Sequence, residues 1–192
     1  MTTALGAILL ASLAGTSGGQ PARGSLSVSY DILRDHEQHE TYPAGFSLSA
    51  AIRLYGWLGA TAEMSQSRRT DDFRATGGGL FEMRYEALRG GPRLGRPEGQ
   101  VRPYVQTLAG AARWRIRERQ DPIGNESLSW ESVADFALTP GAGVDLFVAD
   151  RVSARLGGDL SFLFRRDGRF GNSYRTRLSS LHAGVAFHWG GR

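Results

Sequence analysis

Ser180 and His182 stand two residues apart near the end of the chain, a hydroxyl and an imidazole that could act as nucleophile and base from one face of a strand. The order is Ser then His, and no hydrolase motif flanks them. A paired interior histidine is the simpler reading. Asp35 to Glu40 reads DHEQHE and gathers His36 and His39 among three carboxylates. It is not H-E-x-x-H, because the second His comes one residue early and Pro43 opposes a helix. A solvated loop is expected there. Gly77-Gly78-Gly79 lacks the Lys-Ser/Thr of a phosphate loop, and Asn125-Glu126-Ser127 matches a glycosylation triplet, a short and common pattern that by itself assigns nothing. We therefore assign no catalytic residue, no metal ligand and no cofactor, and expect a protein that is not an enzyme.

Composition narrows the classes further. Cysteine is absent, which removes disulfides, thiolate zinc sites and Cys nucleophiles. All 23 basic residues are arginine, against 19 acidic ones, giving a net charge of +4. The arginines are spread along the chain and often alternate with apolar residues. No nucleic-acid-binding motif accompanies them, so nucleic acid is not an expected partner.

The elements that carry these residues repeat every two positions. Ala134 to Val148 sets Phe136, Leu138, Val144 and Leu146 on one face and Asp135, Thr139, Gly141 and Asp145 on the other. The same alternation marks Ser25–Ile32, Phe46–Ile52, Leu58–Ser65, Leu80–Leu88, Tyr104–Arg117, Val152–Arg165 and Leu181–Trp189, so eight strands are expected. Short turns follow the second, fourth and sixth, at Arg53–Gly56, Gly95–Gln100 and Ala149–Arg151. Longer polar connections follow the others: DHEQHETYP, RRTDDFRATGG, ERQDPIGNESLSWES and RDGRFGNSY. This is the plan of an all-β, eight-stranded antiparallel up-and-down barrel with two unlike ends.

Residue size assigns the faces. The polar lists are crowded with small residues, such as Ser25, Ser27, Ser29, Ala109, Ala111, Gly141, Gly143, Gly184 and Ala186. Water places no limit on side-chain size, whereas the interior of an eight-stranded barrel does. The charged members come in both signs, as pairing inside requires: Glu63, Glu82, Arg84, Glu86, Arg113, Arg115, Asp135, Asp145, Arg155 and Asp159. Glu82 or Glu86 with Arg113 or Arg155 are the pairs expected in a plugged lumen. The apolar lists are large, with Tyr30, Phe46, Trp57, Tyr104, Trp114 and Trp189 near strand ends, as at lipid interfaces. Lipid is thus expected outside. A soluble lipocalin-like barrel, the alternative, would reverse the faces.

At the N-terminus, Thr3 to Gly15 is apolar or small and precedes TSGGQPARG. It is too short for a membrane helix and fits a secretory signal peptide, cut after Ala14 or Ala22, although no basic residue precedes it. Residues 1–22 are expected to be this signal and 23–192 the barrel.

The stretches LRGGPRLGRPEGQVRPYVQTLAGAA, TPGAGVDLFVADRVSARLGGDLSF and LSSLHAGVAFHW resemble the small outer-membrane β-barrel superfamily of Gram-negative-type bacteria, similar to the transmembrane domain of OmpA and to OmpX, over about residues 24–190. His182 to Trp189 resembles the family's C-terminal assembly signal (polar, any, Gly, any, any, apolar, any, aromatic), departing from it in the trailing Gly190-Gly191-Arg192. The resemblance implies an outer-membrane location, contact with lipid or lipopolysaccharide, and capture by the assembly machinery through His182, Gly184, Phe187 and Trp189. It implies a monomer with a structural, envelope-integrity or surface-interaction role. The family also includes a lipid A deacylase with a His/Ser pair, which makes a lipid-modifying enzyme the other reading.

Overall fold

In the computed structural model, residues 24–72, 80–119, 129–131, 134–166 and 173–190 are described. The expected signal peptide, the triple glycine and the Asn125 triplet lie outside them. The elements are β1 (Gly24–Asp35), β2 (Glu40–Tyr55), β3 (Leu58–Asp72), β4 (Leu80–Gly95), β5 (Val101–Arg119), β6 (Ser129–Glu131), β7 (Asp135–Ala149), β8 (Val152–Arg166) and β9 (Ser173–Trp189). Eight of them form one antiparallel sheet in the order β4-β3-β2-β1-β9-β8-β7-β5. The β4–β5 pairing closes it into a barrel. The last strand meets the first from Gly24↔Trp189 to Asp35↔Leu178.

Most strands outrun their expected bounds. The first connection shrinks to a turn at residues 36–39, because β1 reaches Asp35 and β2 begins at Glu40. Asp35 fixes that turn: its Oδ1 accepts from the amides of Glu37 and Gln38 at 2.8 and 3.2 Å, and His39 takes the left-handed φ of 56°. Within the expected fifth-to-sixth connection lies β6. It pairs Arg115–Arg117 of β5 just beyond the point where β7 stops at Ala112↔Asp135.

Through the middle of the barrel the faces are as expected on β1, β2, β3, β7, β8 and β9. Val28, Leu48, Met64, Leu156 and Val185 are exposed, while Ser27, Ser49, Glu63, Asp145, Arg155 and Ala186 are buried. On β4 and β5 the expected faces are inverted. Tyr85 and Ala87 on β4, and Tyr104, Leu108 and Ala112 on β5, are buried inside. Glu82, Arg84, Glu86, Arg113 and Arg115 lie on the outer face instead, as do Thr107, Ala109 and Ala111.

Length does not set these strands apart, since β2 has as many residues as β4 and keeps its expected faces. At the long-loop end the barrel interior is itself apolar, so Tyr85, Ala87 and Ala112 turn inward there, and toward the short turns Tyr104 lies inside under the Arg93 guanidinium. At the apolar end of the interior, Leu33, Tyr42, Tyr85, Ala87, Ala112, Ala137, Leu163 and Leu178 form one cluster with Met83 and Trp114 against it. The Trp114 ring lies 5.3 Å from that of Tyr42 and 5.0 Å from that of Tyr85, both tilted. A β-bulge between Asp31 and Leu33 brings Leu33 opposite Tyr42, which places both in this cap.

Candidate functional site

The lumen below the apolar cap is built around two guanidinium groups. Arg155 on β8 is buried and forks onto Asp145 of β7, with Nε to Oδ1 at 2.7 Å and Nη2 to Oδ2 at 3.0 Å. Its Nη1 crosses the lumen to Ser27 of β1 and Ser49 of β2 at 2.7 and 3.1 Å. Alternation along four strands sets these groups inward, and small neighbours give them room. Asp145 also accepts from Arg93 Nη2 at 2.7 Å, and the Arg93 guanidinium lies 3.5 Å over the Tyr104 ring. Arg89 on β4 is the second centre. It donates to Glu63 at 2.5 Å, to Thr139 and Ser161 at 2.9 Å each, and to Ser65 at 3.2 Å. The gap remaining beside Asp31, Glu63, Arg89, Asp159 and His182 is about 10 Å³, the space of one water. The glycines nearby make room for these groups: a Cβ on Gly141 would displace Asp159 Oδ1, and one on Gly157 would displace His182 Nε2.

The expected lumenal pairs are thereby corrected. Arg155 pairs with Asp145, not with Glu82 or Glu86. Glu86 does pair with Arg113, at 2.8 Å, but on the outer face at the long-loop end. Glu82 pairs with Arg84 at 2.9 Å on the same face. There the register sets Arg68, Arg84 and Arg115 side by side on three neighbouring strands. Sequence reading missed this row because the three belong to separate strands; only the register aligns them. Tyr104 and Trp114, expected at lipid interfaces, point inward.

His182 sits as an interior packing group. Its Nδ1 is 3.4 Å from Asp159 Oδ2, and its Nε2 is 3.4 Å from the Tyr104 hydroxyl. Ser180 and His182 share the inner wall, but among the described contacts no hydrogen bond joins them. In DHEQHE, Asp35 is committed to the turn and His36 Nε2 reaches Ser179 Oγ at 2.9 Å. The segment's donors do not converge on one point. Nearby, burial and then the Glu40 carboxylate, to which it donates, push the Tyr42 hydroxyl up from its ordinary pKa. The hydrogen bond that Arg69 donates to Asp71 helps hold its guanidinium cationic. In the C-terminal motif, Phe187 and Trp189 face outward, and Gly184 leaves no space for a Cβ, which would collide with the Val28 carbonyl oxygen.

No family model and no curated protein matches this chain. Solved structures do. The attachment invasion locus protein Ail of Yersinia pestis, in complex with the heparin analogue sucrose octasulfate, is 18% identical at a TM-score of 0.59, over 88% of this chain and 99% of Ail. Neisserial surface protein A is 16% identical at 0.55, over 86% of this chain and 96% of its own. A major outer membrane protein from Thermus thermophilus is 12% identical at 0.67, over 88% and 99%. At these identities the likeness is one of fold. The chain has the eight-stranded transmembrane β-barrel fold of small outer-membrane proteins, as its resemblance to the OmpA and OmpX group implied.

Proposed function

We propose that this protein resides in the bacterial outer membrane as a monomeric structural or surface-interaction barrel, exported through residues 1–22, with a plugged lumen and no general pore activity. The observation that carries the reading is the pairing of an exposed apolar band with a polar interior crossed by arginine side chains. Val28, Phe46, Met64, Leu88, Val105, Phe136, Leu156 and Val185, one from each barrel strand, are exposed, while Arg89 and Arg155 bridge the strands inside. A lipocalin-like barrel would have these faces exchanged.

The outer arginine row supports contact with anionic lipid or lipopolysaccharide. Like charges directly opposite one another repel, and Glu82 and Glu86 offset part of the Arg68, Arg84, Arg113 and Arg115 charge. The row lies four residues beyond Met64 and Leu88 on the same face, past Gln66 and Glu86, and we assign it to the level of headgroup phosphates. His182, Gly184, Phe187 and Trp189 serve as the code by which the assembly machinery captures the chain. We propose no catalytic role for Ser180 and His182, since the imidazole is engaged by Asp159 and Tyr104.

Two measurements test this reading. Fractionation with a heat-modifiability gel should place a folded, heat-shifted band in the outer membrane. Planar bilayers should show no steady, large single-channel currents. A soluble periplasmic product, or sustained open currents, refutes it.

A further inference from the structure

The end of the barrel carrying the short turns opens into a vestibule of about 640 Å³, within the size range of small-molecule sites. Its charge is unbalanced. Arg53, Arg93, Arg96, Arg102 and Arg151 line it against Glu98, Asp145 and Asp150. The imbalance is sharpest at the floor. Asp145 is held in both carboxylate oxygens by the fork of Arg155 beneath, yet it is also the ion-pair partner of Arg93. Two guanidiniums with side chains 4% and 13% exposed thus share one carboxylate. Charge withdrawn from water is costly unless matched, and the unmatched excess is positive.

The arginines nearer the rim are oriented by backbone and rings. Arg102 donates to the Gly99 carbonyl at 2.9 Å and lies 3.7 Å over Phe147, whose other neighbour is the His188 ring at 4.5 Å. Arg53 donates to the Pro97 carbonyl at 3.2 Å. Each bond fixes the plane of a guanidinium fork. Trp57 stands at the rim. We propose that this vestibule binds a small organic or inorganic oxyanion, phosphate or carboxylate in chemistry, seated on Arg93 and gripped from the sides by Arg53 and Arg102. Planar guanidinium groups match the paired oxygens of both anions.

The test uses the full barrel refolded in detergent micelles and isothermal titration calorimetry, with inorganic diphosphate as one probe and citrate as the other. Saturable binding of one anion per barrel is expected, and whichever probe binds more tightly identifies the phosphate or the carboxylate class. Arg93→Met keeps the Asp145–Arg155 fork and should weaken binding by about tenfold or more. Arg53→Gln, at the rim, should weaken it by about threefold or more, and it decides the matter if Arg93→Met does not refold. Arg68→Gln, at the opposite end, should leave affinity unchanged. Failure of both probes to bind overturns the proposal. So does undiminished affinity in the vestibule variants, or an equal loss in Arg68→Gln.

Discussion

Asp145→Asn should be the most damaging single-atom change in the barrel. The carboxylate accepts three charge-assisted hydrogen bonds, at 2.7 and 3.0 Å from Arg155 and 2.7 Å from Arg93. Removing one partner of a buried pair costs about 3–5 kcal/mol, because the other charge is left without compensation. Here one substitution strands two cations, so the upper end, about 5 kcal/mol, is expected. That is comparable to the whole stability of a marginal domain, about 5–15 kcal/mol. The sign of a second substitution is diagnostic. Arg93→Met alone leaves Asp145 paired in the Arg155 fork, so no charge is stranded and the cost should fall well below that of Asp145→Asn. Added to Asp145→Asn, it removes one stranded cation and should restore stability. Urea unfolding in lipid vesicles, followed by tryptophan emission, gives the free energies, with heat modifiability as the check on barrel closure. If Asp145→Asn costs under about 1 kcal/mol, or if Arg93→Met worsens it, the shared-carboxylate account fails.

On β5 the chain's lack of cysteine permits single-site labelling without background: Ala109→Cys and Ala111→Cys should carry spin labels accessible to oxygen dissolved in lipid, and Leu108→Cys should not. Reversal of that pattern would restore the face expected from side-chain size. Val28→Arg, in the exposed apolar band, should cost roughly 2–4 kcal/mol if the position lies at the bilayer midplane, read from the same urea titration; an unchanged midpoint would mean that β1 does not face lipid there. Replacing Phe187 and Trp189 by Ser should remove roughly 1.5–3 kcal/mol of apolar burial per ring and block insertion in cells beyond that loss. Normal insertion in cells would remove the signal role, and equal failure in detergent refolding would leave only a structural one.

The alternation of β1, β7, β8 and β9 was legible in the sequence because their outer faces are apolar over most of their length, with charges such as Arg34 and Arg177 only toward the long-loop end. Phe136, Leu138, Val144 and Leu146 never share a face with a charge. β4 and β5 misled for a physical reason. Met83, Tyr85, Leu108 and Trp114 are large and apolar, and in a lipid-facing strand they belong outside, but parts of these strands border an interior that is itself apolar. Pattern alone does not say where a strand leaves the bilayer. The luminal partners were hidden for a different reason. Arg155 reaches Ser27 and Arg89 reaches Ser161 across the barrel, and such pairs carry no local signature. Lumenal glycines such as Gly141 and Gly157 were visible as small residues, though not as the space that Asp159 and His182 occupy.

The charged outer surface of β4 and β5 bears on how the barrel could ever be removed from a membrane. With the short turns held on the entry side, Arg84, Arg113 and Arg115 must traverse the hydrocarbon to reach their final level. At about 2–4 kcal/mol each at the midplane, the three crossing singly would meet a barrier of roughly 6–12 kcal/mol, slowing transit by about ten-thousandfold or more. Their carboxylate neighbours change the passage. Arg84 with Glu82 and Arg113 with Glu86 can travel as neutral couples within one hairpin. In the finished barrel both couples remain closed, at 2.9 and 2.8 Å, so the pairing lowers the cost of passage in either direction. The hairpin's depth in the bilayer is then set by the solvation of these couples and of the arginine row at the long-loop end.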